Sequence, residues 1–423
     1  MSNYSLTSLL YNGIGYPVLS VGAHVAAVFS PKLREGLRGR HLLQGHVREF
    51  RLRNPDARVV LFHCASAGEL EGVKPLAAAC RARGYLPCVT FFSPSALTVL
   101  GENEFSFADY SPFDSRRAVR EFLQALRPEA VMISKHDVWP NLVWQSGNLG
   151  VSVWLINGNF HEGSLKSWPL LRGIHRSIYS KLKGILTVSE TDAQRARHIV
   201  GSECFVDAVG DSRFDRVWWR AQMGRAPFPE LDTGLRNRAF VVCGSTHERD
   251  EEILLSSLNN IRKQHPSLQM LVVPHDPSDA ALQRIQTRAE ECGLSHSEIR
   301  GNCCEADVLI VNEKGVLADL YRYGKLAYVG GGFGRGVHSV LEPMAHGLKV
   351  ICGPSIDVSR EAQDARDEHL LRVVEAPDDL ASGAIDLLDK PDDSSVKNFV
   401  RHRSGTVDKI LDFVLADRVA PRS

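Results

Sequence analysis

The 423-residue chain carries 50 Lys and Arg against 50 Asp and Glu, so its formal net charge is zero and nothing in the bulk charge asks for a nucleic-acid partner. Hydrophobic content of 43% and charged content of 24% are those of a soluble globular core, and the length suggests two or three domains. The nine cysteines are scattered with no Cys-x-x-Cys, which indicates reduced, cytoplasmic usage and neither a disulfide frame nor a zinc site.

Residues 1–31 hold no Asp, Glu, Lys or Arg but include Leu9, Leu10, Ile14, Val18, Leu19, Val21, Val25, Val28 and Phe29. Residues 32–58 then bring Lys32, Arg34, Arg38, Arg40, Arg48, Arg51, Arg53 and Arg58. A signal peptide places its positive charge ahead of the apolar run, and Gly13, Gly15, Pro17 and Gly22 dilute a spanning helix. The pattern predicts an apolar hairpin or helix lying in a membrane surface, its basic neighbours meeting anionic head groups. The alternative is a helix packed on the protein's own core.

Val59-Val60-Leu61-Phe62 reads as a buried strand, Gly68 as a tight turn, and a helix follows from about Glu69 to Ala82. Glu69 then lies just past a strand's carboxyl end, where open α/β sheets bind ligands. It is either a general base or a first-turn glutamate that favours the helix dipole. Further strands are expected at 87–92, 130–135, 151–156, 184–188 and 205–209, with a helix at Ser115–Leu126 stopped by Arg127-Pro128. After the strand at 130–135, Lys135, His136 and Asp137 would face the same cleft as Glu69, or form a solvated turn and helix cap.

Trp218, Trp219, Pro227, Pro229 and Gly234 break the periodicity, so 216–237 reads as an interdomain linker. The alternation restarts with strands expected at 238–244, 268–273, 306–311, 325–330 and 348–352 and helices at 248–264, 277–291, 315–323 and 338–346. Three turns of this second sheet carry candidate phosphate ligands. Ser245 and Thr246 can cap a helix or hold an anion. His275 ends a third strand. Gly330 to Gly336, with Gly331, Gly332 and Arg335, can cradle a phosphate or simply allow tight strand–helix packing. Neither a dinucleotide fingerprint nor a Walker lysine is present, and no metal-ligand spacing occurs. The expected organisation is α/β: a membrane-associating segment at 1–31, an α/β domain at 32–215, the linker, a second α/β domain at 238–390 facing the first across a cleft, and a tail at 391–423. The helical pattern in Val396–Leu415 can cross back to the first half.

Together these motifs resemble the 3-deoxy-D-manno-octulosonic acid (Kdo) transferases of lipopolysaccharide synthesis, from the apolar N-terminus to about residue 365. His63-Cys64-Ala65-Ser66-Ala67-Gly68-Glu69 resembles the family's H-x-x-S-x-G-E, whose glutamate is the proposed base. Trp139-Pro140-Asn141 matches W-P-N, Gly210 to Asp215 resembles G-N-x-K-x-D through Arg213, and Gly244 to His247 matches G-S-T-H. Gly331-Gly332 and His338 to Pro343 resemble donor-site G-G and H-N-x-L-E-P elements, with Ser339 in place of the asparagine. The family's P-R-H appears as Pro274-His275-Asp276, and its E-T-E as Lys135-His136-Asp137.

The resemblance implies two Rossmann-like domains of the GT-B glycosyltransferase type. It implies a CMP-Kdo donor, a lipid A precursor as acceptor, inversion at the anomeric carbon, and no cofactor or bound metal. Glu69 would be catalytic. Ser245, Thr246, His275, Gly331, Gly332, Arg335, His338, Ser339 and Glu342 would serve the donor. Ser66, Gly68, Lys135, His136, Asp137 and Arg213 would serve the acceptor or cleft. The enzyme would sit peripherally or monotopically on the cytoplasmic face of the bacterial inner membrane, against anionic lipid. The alternatives are a GT-B enzyme with another nucleotide-sugar donor, or a non-catalytic membrane protein of this fold that binds lipid A or a nucleotide.

Overall fold

The computed structural model describes residues 6–135, 137–160, 169–299, 305–391 and 394–416, without the side chains of residue 32 and residues 169–173. The chain forms two compact units, Met1–Arg216 with Ser404–Ser423, and Val217–Arg403.

The first unit is built on seven strands: β1 (Val59–Cys64), β2 (Leu86–Phe91), β3 (Phe107–Tyr110), β4 (Ala130–Ser134), β5 (Ser152–Gly158), β6 (Gly184–Thr187) and β7 (Phe205–Ala208). They pair in the order β3-β2-β1-β4-β5-β6-β7, every ladder parallel. β1 and β4 are buried along their whole length, as strands covered by helices on both faces must be. The strand order reverses between β1 and β4, which opens a crevice at their carboxyl ends. The last described helix, Thr406–Leu415, completes this unit. Its Val407, Ile410, Leu411 and Val414 join the core formed by Val60, Phe62, Leu70 and Val73. The helical pattern in the tail is broken at Gly405 (φ +91°), where Asp215 accepts the backbone N–H groups of Gly405 and Thr406.

The second unit repeats the plan with β8 (Ala239–Thr246), β9 (Leu268–Pro274), β10 (His296–Glu298), β11 (Val308–Ile310), β12 (Gly324–Val329), β13 (Val350–Cys352) and β14 (Leu371–Val373). Their order is β10-β11-β9-β8-β12-β13-β14, again parallel throughout. The reversal here lies between β8 and β12. Residues 216–237 are structured: the helix Ser212–Met223 runs through the unit boundary, and the short helix Asp232–Arg236 precedes β8.

The N-terminus is a helix and not a hairpin. Leu6–Phe29 is helical over 24 residues, about 36 Å at 1.5 Å per residue, with a π-helical turn at Tyr11–Gly15. Its inner face holds the first unit. The Tyr11 hydroxyl donates to Asp114 at 2.8 Å, and Asn12 and Asn141 exchange side-chain hydrogen bonds. Its outer face presents Leu10, Ile14, Val18, Val21, Val25 and Phe29, all more than half exposed.

The basic run that follows is used differently from the expectation. Arg34 donates to the carbonyls of Ala27 and Val28 and closes the helix's C-terminus. Arg40 is buried against the Phe92 ring, 4.6 Å from its centroid. Arg51 is buried and donates to four backbone carbonyls, and Arg58 pairs with Glu129 and stacks on Tyr85. Structural demand therefore takes four of the seven arginines that an anionic surface was expected to meet. Arg38 and Arg48 remain exposed.

Candidate active site

In the first unit the residues that follow β1 and β4 meet at the strand-order reversal. Ser66 caps the helix Ala67–Ala82 in an extended conformation, yet its hydroxyl makes no cap bond. Glu69, the third residue of that helix, turns its Oε2 back to accept the Ala65 N–H at 2.7 Å. Oε1 makes no hydrogen bond among the described residues. The side chain is 4% exposed, and burial pushes its pKa above the ordinary glutamate value. The Ala65 N–H opposes that rise, Asp137 adds to it, and Lys135 opposes it. A buried carboxylate with one oxygen held and one unengaged is suited to accept a proton near neutral pH.

Gly68 does not make the expected turn. It lies inside the helix, and a Cβ there would meet nothing within 4 Å, so its effect is to leave open space beside Glu69. Lys135 stands at the end of β4 with φ +57°, a backbone conformation rarely held by a residue with a side chain. Its N–H is fixed by the Ile156 carbonyl at 2.8 Å. Asp137 accepts from Trp139 Nε1 at 3.0 Å and stands 3.6 Å from His63 Nε2. His136 lies outside the described residues. Arg213 pairs with Asp211 at 2.8 Å, two residues away on the same turn.

Three further residues hold this end of the sheet. Buried Asp114 accepts from the N–H groups of Asn141 and Leu142 and so caps the helix Pro140–Asn148. Asn157, at φ +51°, exchanges hydrogen bonds with Ser212, which donates to the Gly72 carbonyl. These partners are far apart in sequence, so no local pattern announces them.

In the second unit the turns after β8, β9 and β12 converge. Ser245 adopts φ +53° where β8 slips register against β9 between Gly244 and Thr246. Gly330 follows β12 so closely that a Cβ would come within 2.2 Å of the Ser245 carbonyl oxygen. Gly331 has φ +89° and donates its N–H to Asp250 at 3.0 Å. Gly332 and Gly353 pass with similarly little room. Asp250 is the keystone. It is 1% exposed and also accepts from the His247 N–H at 2.9 Å and the Tyr328 hydroxyl at 2.7 Å. Burial, then Asp250, raises the Tyr328 pKa.

Several expected roles change here. Neither Ser245 nor Thr246 caps the following helix; His247 does, in a capping box with Asp250. The Thr246 hydroxyl is buried and donates to Glu251, itself paired with Arg284, so that side chain is turned inward. The helix expected from residue 338 begins at Leu341, and the His338 N–H is taken by the Gly330 carbonyl. Arg335 and Ser339 are exposed. Glu342 is half-buried in that helix's first turn, near the Tyr321 hydroxyl.

The imidazoles of His247, His275 and His338 stack. His275 and His338 ring centroids are 4.4 Å apart at 16°, and His247 Nε2 approaches His338 Nε2 to 3.0 Å. Burial, then the neighbouring rings, lowers the pKa of His275 and brings that of His338 down to about 4. Their ring nitrogens lie within 4.8 Å of one another, a donor set of the kind that takes zinc. Sequence spacing gave no sign of this cluster, because each ring comes from a different turn.

Comparison with known proteins includes the segment that carries Glu69. Residues 40–216 match the family model described as 3-deoxy-D-manno-octulosonic-acid transferase (kdotransferase). The chain is 28% identical over 297 residues to the 3-deoxy-D-manno-octulosonic acid transferase of Aquifex aeolicus, covering 69% of this chain and 75% of that one. It is 26% identical over 385 residues to the enzyme of the same name from Chlamydia muridarum, covering 83% and 82%. Among solved structures, a glycosyltransferase from Rickettsia africae superposes with a TM-score of 0.56 at 12% identity, covering 86% of this chain and all of that one. That likeness concerns the fold alone, which is α/β of the GT-B type.

Proposed function

We infer that the chain belongs to the Kdo transferase family of lipopolysaccharide synthesis, which it resembles, and that as a glycosyltransferase it moves Kdo from CMP-Kdo to a lipid A precursor with inversion at the anomeric carbon. The observation that carries this reading is Glu69: a buried carboxylate with a raised pKa and one unengaged oxygen, at the strand-order reversal of the matched segment. In this mechanism Glu69 takes the proton of the acceptor hydroxyl as that oxygen attacks the anomeric carbon. The bond to the CMP phosphate oxygen breaks as the new bond forms, so attack and departure lie on opposite faces and the configuration inverts. Lys135 and His63, both within electrostatic reach of Glu69, bias the pocket toward its ionised form.

The second unit would hold the nucleotide. Backbone groups around Ser245, Gly331 and Gly332 meet the phosphate, Arg335 and the three imidazoles add charge, and Glu342 accepts from the ribose hydroxyls. His275 and His338 are uncharged near neutrality in the free protein, and a bound phosphate reverses that by favouring their protonated forms. CMP affinity is therefore expected to rise as pH falls below about 6.5, the ordinary histidine value. In a thermal-shift panel CMP should stabilise the protein and UDP should not, and Glu342→Ala should weaken CMP binding by about 1–3 kcal/mol. Stabilisation by UDP alone, or unchanged CMP affinity in the variant, would point to the rival UDP-sugar reading.

The exposed outer face of the N-terminal helix would rest in the cytoplasmic leaflet of the inner membrane, its apolar residues supplying most of the affinity. Replacing Val18, Val21 and Val25 by Ser spares the inner face that bonds Asp114 and Asn141. Such a variant should keep its circular dichroism and lose flotation with anionic vesicles. Equal flotation of variant and parent removes this helix as the anchor.

A further inference from the structure

Within the first unit, an apolar cavity of about 90 Å³ lies between the N-terminal helix and the carboxyl-end loops of the sheet. Leu19 and Ala23 form its helix side, and Phe92, Phe113, Trp139 and Leu142 the opposite walls. The walls are aromatic and stacked. Phe92 stacks on Trp139 with centroids 5.3 Å apart, and His24 lies parallel to Phe113. The guanidinium of Arg40 is held over Phe92 by bonds to the carbonyls of Phe92 and Gly36, which keeps it from filling the space. Apolar voids of this order, up to about 150 Å³, stay dry and take up hydrocarbon guests. Left empty, such a void forfeits the dispersion contacts of its lining.

Its two ends differ. On one side Leu19 is 55% exposed on the same helix that presents Val18, Val21 and Val25 outward, so the cavity opens along the apolar face. On the other stands His63, which is 1% exposed and whose Nε2 makes no hydrogen bond among the described residues. His63 also acts electrostatically on Glu69. The cavity thus runs from an exposed apolar helix face to a buried imidazole that stands 3.6 Å from Asp137 beside the candidate base, which is the polarity sequence of a single-chain segment of an amphiphile.

We propose that this cavity takes one alkyl chain of the acceptor, threaded past Leu19 and Ala23, with the polar end of the molecule delivered to His63 and Glu69. The idea rests on the acceptor being a lipid, and it adds that the N-terminal helix is part of the acceptor site as well as an anchor.

The test uses full-length protein on vesicles containing dodecyl phosphate with a terminal photoreactive diazirine, followed by peptide mapping. Labelling of the peptides carrying Phe113 and Trp139, lowered at least tenfold in Ala23→Phe and in Ser20→Leu, is the expected result. Ser20 is half-exposed on the same helix, so its replacement tests occupancy with little demand on folding. Labelling confined to the outer face around Val18, Val21 and Val25 would overturn the site, as would cavity labelling that neither variant reduces. In transfer assays the two variants should lower the ratio of kcat/KM for an acylated acceptor over its deacylated counterpart by about tenfold; an unchanged ratio would also overturn it. Cavity labelling in a protein that transfers no sugar to any lipid would instead sink the functional reading and leave the cavity's ligand class standing.

Discussion

Glu69→Gln is expected to lower turnover by about two to four orders of magnitude while CMP binding stays intact, the range associated with losing a positioned general base. That loss corresponds to roughly 3–5 kcal/mol of transition-state stabilisation. The amide keeps the shape of the side chain, and its oxygen can still accept the Ala65 N–H, so the helix start should survive. The pH profile separates a catalytic role from a structural one. A base must be ionised to act, so kcat/KM falls as pH drops through the pKa of Glu69. Burial raises that pKa, so the acid limb should lie above the usual glutamate value of about 4.3. The limb should vanish in Glu69→Gln. Near-normal turnover in the variant, or an acid limb that persists unchanged, would return Glu69 to the role of a first-turn helix residue.

The second large effect should come from Asp250→Ala. One buried carboxylate satisfies three donors from two turns: the N–H groups of His247 and Gly331 and the Tyr328 hydroxyl. Removing it strands them in the interior, at about 1–3 kcal/mol for each donor left unpaired. Relaxation of the glycine-rich turn should reduce the sum, so a stability loss of about 2–5 kcal/mol in urea unfolding is expected. The same change unpins Gly331 from the β8 turn, and CMP affinity should fall at least tenfold. A variant with parental stability and parental CMP affinity would show that the two turns hold each other by backbone contact alone, as the close passage of Gly330 past Ser245 already begins to do.

The two-sheet architecture was readable because the central strands are apolar runs bounded by turn residues. Val59–Cys64 and Ala130–Ser134 are buried on both faces, so no alternation hides them. The strands that escaped, Phe107–Tyr110, His296–Glu298 and Leu371–Val373, lie at sheet edges, where three or four partly polar residues suffice. Glu69 was legible through its motif and its place after a strand. Asp114, Asn157 and Asp250 were not, because their significance lies in partners from 27 to 103 residues away. The basic run was overread for the same reason: sequence shows an arginine's charge but not that Arg40 and Arg51 spend it on backbone carbonyls inside the fold. Thr246 marks the converse limit, since a hydroxyl at a promising turn was engaged inward by Glu251.

The central claim is tested most directly by incubating the full-length protein in vesicles with a lipid A precursor, CTP, Kdo and a CMP-Kdo synthetase, and then weighing the lipid and determining its new linkage. The account predicts a lipid heavier by whole Kdo units, joined with the configuration opposite to that in CMP-Kdo, and no such product from Glu69→Gln on the same timescale. A lipid of unchanged mass from protein that demonstrably binds CMP, or a product with the donor's configuration retained, would contradict it.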